Sequence, residues 1–199
     1  MMPTTISRPA SHWLTLLLWL IANVISFGLV GAMFHNFPLA FTFPPNLTRL
    51  GTFSLAPALL GGALFGFVPA LLIGFLQRWI LRRHLPLSRW WIISVSAGMG
   101  LMHFFSDGFE NARDLSLAVL LSGLVVGVIQ WRMLRPHLPS AVWWIAASGL
   151  GWYGGGLMGS AIWINGLEAH GRSGLTTGLM YSLSTGLFLM WRLRNQKET

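Results

Sequence analysis

Six runs of apolar residues, almost free of charge, constrain this chain more than any other feature. They are Trp13–Phe34, Pro57–Leu81, Trp90–Phe105, Leu115–Leu134, Val142–Ile164 and Leu175–Trp191. A helix crossing ~30 Å of hydrocarbon needs about 20 residues. Four runs reach that length. The third and the last reach it only if Leu87–Arg89 and Arg192–Leu193 continue the helix, with the arginines snorkelling to the interface. The runs are continuous rather than alternating, which argues against barrel strands. Only 9% of the 199 residues are charged, against roughly 25% in a soluble domain. The 23 glycines and 11 tryptophans are residues that spanning helices favour. The expectation is a single all-α integral membrane domain over residues 1–199. Trp13–Phe34 exceeds the roughly 7–15 apolar residues of a signal peptide and reads as a retained first span.

Charge sets the orientation. With the N-terminus inside and spans alternating, Arg8, Arg78, Arg82, Arg83, Arg89, Arg132, Arg135, Arg192, Arg194 and Lys197 fall inside, ten of the thirteen basic residues. Asp107, Glu110, Asp114 and Glu168 fall outside, with Arg49, Arg113 and Arg172. This bias predicts both termini in the cytoplasm. The net charge of +8 therefore belongs to topology and headgroup contact, not to nucleic acid.

An internal repeat organises the runs. Gly74 to Gly98 returns as Gly127 to Gly151, 53 residues later, with 11 of 25 positions identical. Each copy reads as a hairpin: a small residue four before Gly, then Gln77 or Gln130, then Leu-Arg, His84 or His137, Leu-Pro, and a Trp pair. Arg at the end of the outgoing helix complements the helix dipole. Pro86 and Pro139 suit the first turn of the returning helix. The pairs Trp90–Trp91 and Trp143–Trp144 are expected as anchors at the inner headgroup level. Gly186 to Arg194 repeats the first half, with Leu189 in place of Gln, and Arg8-Pro9 to Trp13 resembles a faint second half. A six-helix bundle of three hairpins with approximate threefold symmetry follows, the third hairpin divided between the two ends of the chain. The copies are parallel, so the inverted-repeat scheme of many transporters does not apply.

Gly74, Gly127 and Gly186 sit at equivalent places and predict close helix packing; a glycine-lined groove for a flat ligand is the functional alternative. Among polar residues, Asn23 lies mid-run and Gln77 and Gln130 lie one turn before the terminal Arg. Each is a candidate functional group, and each could equally be an interhelical hydrogen bond. His84 and His137 suit turn-capping roles or paired headgroup contacts. His103, Asp107 and Glu110 are spaced to share a helix face and form the one candidate metal constellation, although Gly108 interrupts it. His103 alone could also ligate a pigment. No cofactor is otherwise indicated.

Several classes are disfavoured. Without cysteine there is no thiolate metal site, iron–sulfur cluster or cysteine nucleophile. No acid lies within the six runs, which counts against a proton-coupled pump. No nucleotide-binding loop or nucleophile elbow is present.

The unit Gln-x4-Leu-Arg-x-His-Leu-Pro-x3-Trp-Trp-Ile resembles a motif of uncharacterised bacterial multi-spanning membrane proteins. That resemblance covers Gly74–Gly98 and Gly127–Gly151, with an echo at Gly186–Arg194. It implies a bacterial inner (plasma) membrane setting and no particular activity. The expected function is a non-enzymatic accessory or scaffold role, with the lipid bilayer and other membrane subunits as partners. The alternatives are a passive channel or small-solute facilitator and, third, an intramembrane enzyme or pigment- or metal-binding subunit. A facilitator should bring polar residues to a continuous axial path; a scaffold should have a packed axis and apolar outer faces.

Overall fold

A computed structural model describes residues 10–36, 55–106, 112–163 and 169–195; the side chains of some helix-end residues, His103 among them, fall outside that description. The described residues form six α-helices and no strand: α1 (Ala10–Asn36), α2 (Leu55–Leu81), α3 (Trp90–Ser106), α4 (Ala112–Leu134), α5 (Trp143–Trp163) and α6 (Ala169–Asn195). Each covers one of the six apolar runs. Every helix packs against its two neighbours in chain order, and α1 closes on α6, so the six make a ring.

Two expectations at the helix ends need correction. Leu87–Arg89 do not extend α3, which begins at Trp90. Arg78 Nε donates to Leu87 O at 3.2 Å and Ser88 O at 3.1 Å. At 17 residues, α3 spans ~25 Å. By contrast α6 continues through Arg192 to Asn195. Pro86 and Pro139 lie in the connections, ahead of the first turns of α3 and α5. There they stand five residues beyond the last residues of α2 and α4, Leu81 and Leu134.

The two connections fold alike. Leu85 N bonds Leu81 O at 2.8 Å, and Leu138 N bonds Leu134 O at 2.9 Å. Trp91 N meets Ser88 O at 3.3 Å, and Trp144 N meets Ala141 O at 2.9 Å. They diverge between these points, where Ser140 adopts a φ of 58°.

Glycines set the helix spacing. A Cβ on Gly74 would stand 2.7 Å from the Ile92 backbone, and one on Gly127 2.9 Å from the Ile145 backbone. One on Gly186 would stand 2.6 Å from Leu16 Cδ1 and 3.2 Å from Trp19 Cδ1. Helices this close gain dispersion contacts along their backbones.

The buried residues are mostly apolar, with several polar side chains set among them. The interior holds Asn23, Gln77, Gln130, Ser94, Ser148 and Thr185 among large aromatics. The outside carries Leu14, Leu17, Ile21, Ile25 and Leu29 along one face of α1, and comparable stripes on the other helices. By length and composition, two described stretches can cross a bilayer, Trp13–Gly31 and Leu117–Leu134; Gly66–Leu81 and Trp90–Met102 are shorter apolar helices.

Candidate functional site

The polar side chains singled out in the sequence converge inside the ring. Gln77 Nε2 donates to Asn23 Oδ1 at 2.6 Å, joining α2 to α1. Asn23 Nδ2 donates back to Trp19 O at 2.8 Å. On its other side, Gln77 Oε1 accepts from Trp91 Nε1 at 3.1 Å, which adds α3. Gln130 Oε1 accepts from Trp144 Nε1 at 2.8 Å and from the Tyr181 hydroxyl at 3.2 Å, tying α4 to α5 and α6. Buried amides without partners cost free energy, so such reciprocal bonding makes polar residues tolerable there.

Here the tryptophan expectation is corrected. Trp90 and Trp143 are 66% and 61% exposed, but Trp91 and Trp144 are fully buried. Successive helical residues point about 100° apart, so a Trp pair cannot keep both indoles on one face. One ring faces outward and the other serves the glutamine of its own hairpin. Of the four expected anchors, Trp90 and Trp143 are the exposed ones; Trp13, Trp79 and Trp191 are exposed as well.

The departure at Leu189 has a structural counterpart. Gly186 meets the Leu16 side chain where Gly74 meets the backbone of Ile92 and Gly127 that of Ile145, which sets Leu16 level with those two residues. That register puts Thr15 where the other hairpins have Trp91 and Trp144. The Trp–Gln bond is therefore missing from the α6–α1 pair. One turn further along, Trp19 Nε1 donates to Thr185 Oγ1 at 3.1 Å. The Trp91 and Trp144 rings are 5.8 Å apart, and Trp19 packs edge-on to Trp144 at 6.2 Å.

Aromatic rings fill the space around these bonds. Trp19 lies 6.3 Å from Tyr181, Phe27 lies 6.0 Å from Tyr181 and 6.1 Å from Trp152, and Phe188 lies 5.7 Å from Trp144. Trp19, Tyr181 and Thr185 did not stand out in the sequence. One signal was available: a tryptophan deep within an apolar run, away from any interface, needs a partner for its N–H. Not every group is satisfied. Among the described residues, Gln130 Nε2, Ser148 Oγ, Ser122 Oγ and Trp152 Nε1 are buried without a hydrogen-bond partner.

His84 Nε2 meets Thr15 Oγ1 at 2.7 Å, linking the α2–α3 connection to α1. Asp107, Glu110 and the side chain of His103 lie outside the described residues, so their constellation is not placed. No group of three or more potential metal ligands occurs among the described residues. Chemically the buried cluster consists of amides, indoles and hydroxyls, which bond and orient but do not readily exchange protons near neutral pH. Comparison with known protein families, curated proteins and solved structures found no match to this chain.

Proposed function

We propose that this chain is a six-span protein of a bacterial inner membrane, built as three hairpins about an approximate threefold axis, and that it acts as a non-enzymatic scaffold. The scaffold reading rests chiefly on one observation: the centre of the ring is occupied by aromatic rings and by amides bonded to one another, while Leu and Ile face outward. In water, such an outer surface far exceeds the few hundred Å² of apolar patch that soluble monomers carry. In lipid it costs nothing. The threefold arrangement is supported by the matching backbone contacts of Gly74 and Gly127, by the placing of Gly186 against Leu16 at the corresponding level, and by the closure of α1 on α6. The two sequence repeats supply the first two hairpins and α6 with α1 the third.

The scaffold reading predicts specific membrane partners. Purification from native membrane in mild detergent should yield a stoichiometric protein companion. A lone monomer with nothing bound would sink the reading. The membrane assignment has its own check, since the protein should stay with carbonate-washed membranes and be released only by detergent.

A facilitator is the second reading, favoured by the unpartnered donors Gln130 Nε2 and Trp152 Nε1, which could line a polar path. Proteoliposomes decide between the two. The scaffold predicts no solute flux above protein-free vesicles. Flux that disappears in Asn23→Leu or Gln130→Leu would replace it with the facilitator.

A further inference from the structure

We infer that the outer face of α2 binds an anionic phospholipid, its phosphate held by Arg82 and Arg83 and its acyl chain lying along Leu72 and Phe75. This inference rests on the membrane reading above. Leu72, Phe75, Trp79 and Arg83 follow one another at helical spacing, and the three apolar side chains are exposed. The face thus passes from aliphatic to aromatic to cationic, the order in which a lipid passes from chain to glycerol to phosphate. The Arg83 guanidinium lies 4.4 Å over the Trp79 ring. Stacking holds the guanidinium by one face and leaves its N–H edge free for a phosphate, which it can bind with two parallel hydrogen bonds.

Neighbouring charges sharpen the assignment. Arg78 is already committed to the carbonyls of Leu87 and Ser88, so it serves the connection. Arg82 and Arg83 are both exposed. No Asp or Glu occurs anywhere in the first 106 residues, so this half of the chain contains no carboxylate to neutralise them. Two adjacent cations with no carboxylate in their own half of the chain favour a headgroup with net negative charge, such as phosphatidylglycerol. They disfavour a zwitterionic headgroup, whose own ammonium competes for the same phosphate. The second hairpin carries a weaker version. Arg135 lies 5.8 Å from the Trp131 ring, but Pro136 stands where the first connection has Arg83.

Native mass spectrometry of the full chain, in micelles doped equally with phosphatidylglycerol, phosphatidylethanolamine and phosphatidylcholine, tests this. Phosphatidylglycerol should be retained about tenfold over the other two, since each basic residue at a membrane surface adds a comparable attraction for anionic lipid. Arg82→Gln with Arg83→Gln should abolish the preference. Arg83→Lys and Trp79→Leu should each reduce it, and these milder variants carry the test if the double variant does not fold. Equal retention of the three lipids would overturn the inference, as would an unchanged preference in the variants. Displacement by millimolar glycerol phosphate would also overturn it, by showing a free-phosphate site with no contribution from the chain. A protein that is monodisperse without detergent would instead remove the membrane reading, before any lipid is compared.

Discussion

Gln77 and Gln130 occupy the same place in the repeat, yet only Gln77 has both ends of its amide bonded. Its Nε2 reaches Asn23, whereas Gln130 Nε2 has no partner. The glycine register that equates Leu16 with Ile92 also equates Asn23 with Met99, which is buried. Met99→Asn should therefore supply Gln130 with the partner that Asn23 gives Gln77. The expected gain is on the order of 1 kcal/mol, the usual worth of an interhelical hydrogen bond in lipid, read as a higher melting temperature in detergent. A lower one would mean that Gln130 Nε2 points elsewhere. The converse holds for Asn23→Leu, which strands Gln77 Nε2 and should cost about 1–3 kcal/mol. The Asn23→Leu, Gln77→Leu double variant should then cost less than the sum of the single changes. Additive costs would show that the two amides are not coupled. Asn23, Gln77 and Gln130 were visible in the sequence because polar residues in apolar runs are rare. Their pairing was not visible, because the donor and acceptor lie 54 positions apart.

Between helices, the three glycines differ in what opposes them. Gly74 and Gly127 face backbone, at 2.7 and 2.9 Å from an added Cβ, whereas Gly186 faces first the tip of the Leu16 side chain. Backbone cannot turn aside; a leucine tip can. Gly74→Ala and Gly127→Ala should each destabilise the protein by about 1–3 kcal/mol, the usual cost of overpacking. Gly186→Ala should cost clearly less. Thermal unfolding of the three variants gives the ranking, and an equal or larger loss for Gly186→Ala would contradict it. Helix positions were legible from the apolar runs, and glycine contacts from their equivalent places in the repeat. The failed extension of α3 was not legible. Nor was the contact of Arg78 with the connection, which spacing along the chain does not reveal.

Across the whole molecule, the contact of α1 with α6 closes the ring. In an open row of helices the first and last would be far apart. Here Gly178 packs on the Asn23–Val24 backbone and Gly186 on Leu16, so the two helices run antiparallel along their length like a linked hairpin. A circular permutant that joins the chain ends by a flexible linker and opens at Pro139–Ser140 should fold to the same helical content. Its melting temperature should lie within a few degrees of the parent. Loss of the folded state would show that the α4–α5 connection, rather than the ring, holds the bundle together. Under the proposed orientation, reporters fused at either end should signal from the cytoplasm.

The sequence by itself determined the number and position of the helices, the repeat that relates them and the residues too polar for their surroundings. These follow from local rules: the length of an apolar run, the spacing of glycines and the rarity of amides among leucines. Only the tertiary structure decided how the interior is filled. It turned Trp91 and Trp144 inward onto the glutamines and left Trp90 and Trp143 outside. It also paired a further indole, Trp19, with Thr185. The reason is distance along the chain: Trp91 and Gln77 lie 14 positions apart and Tyr181 and Gln130 lie 51 apart, so which side chains meet depends on neighbours in space and not on neighbours in sequence.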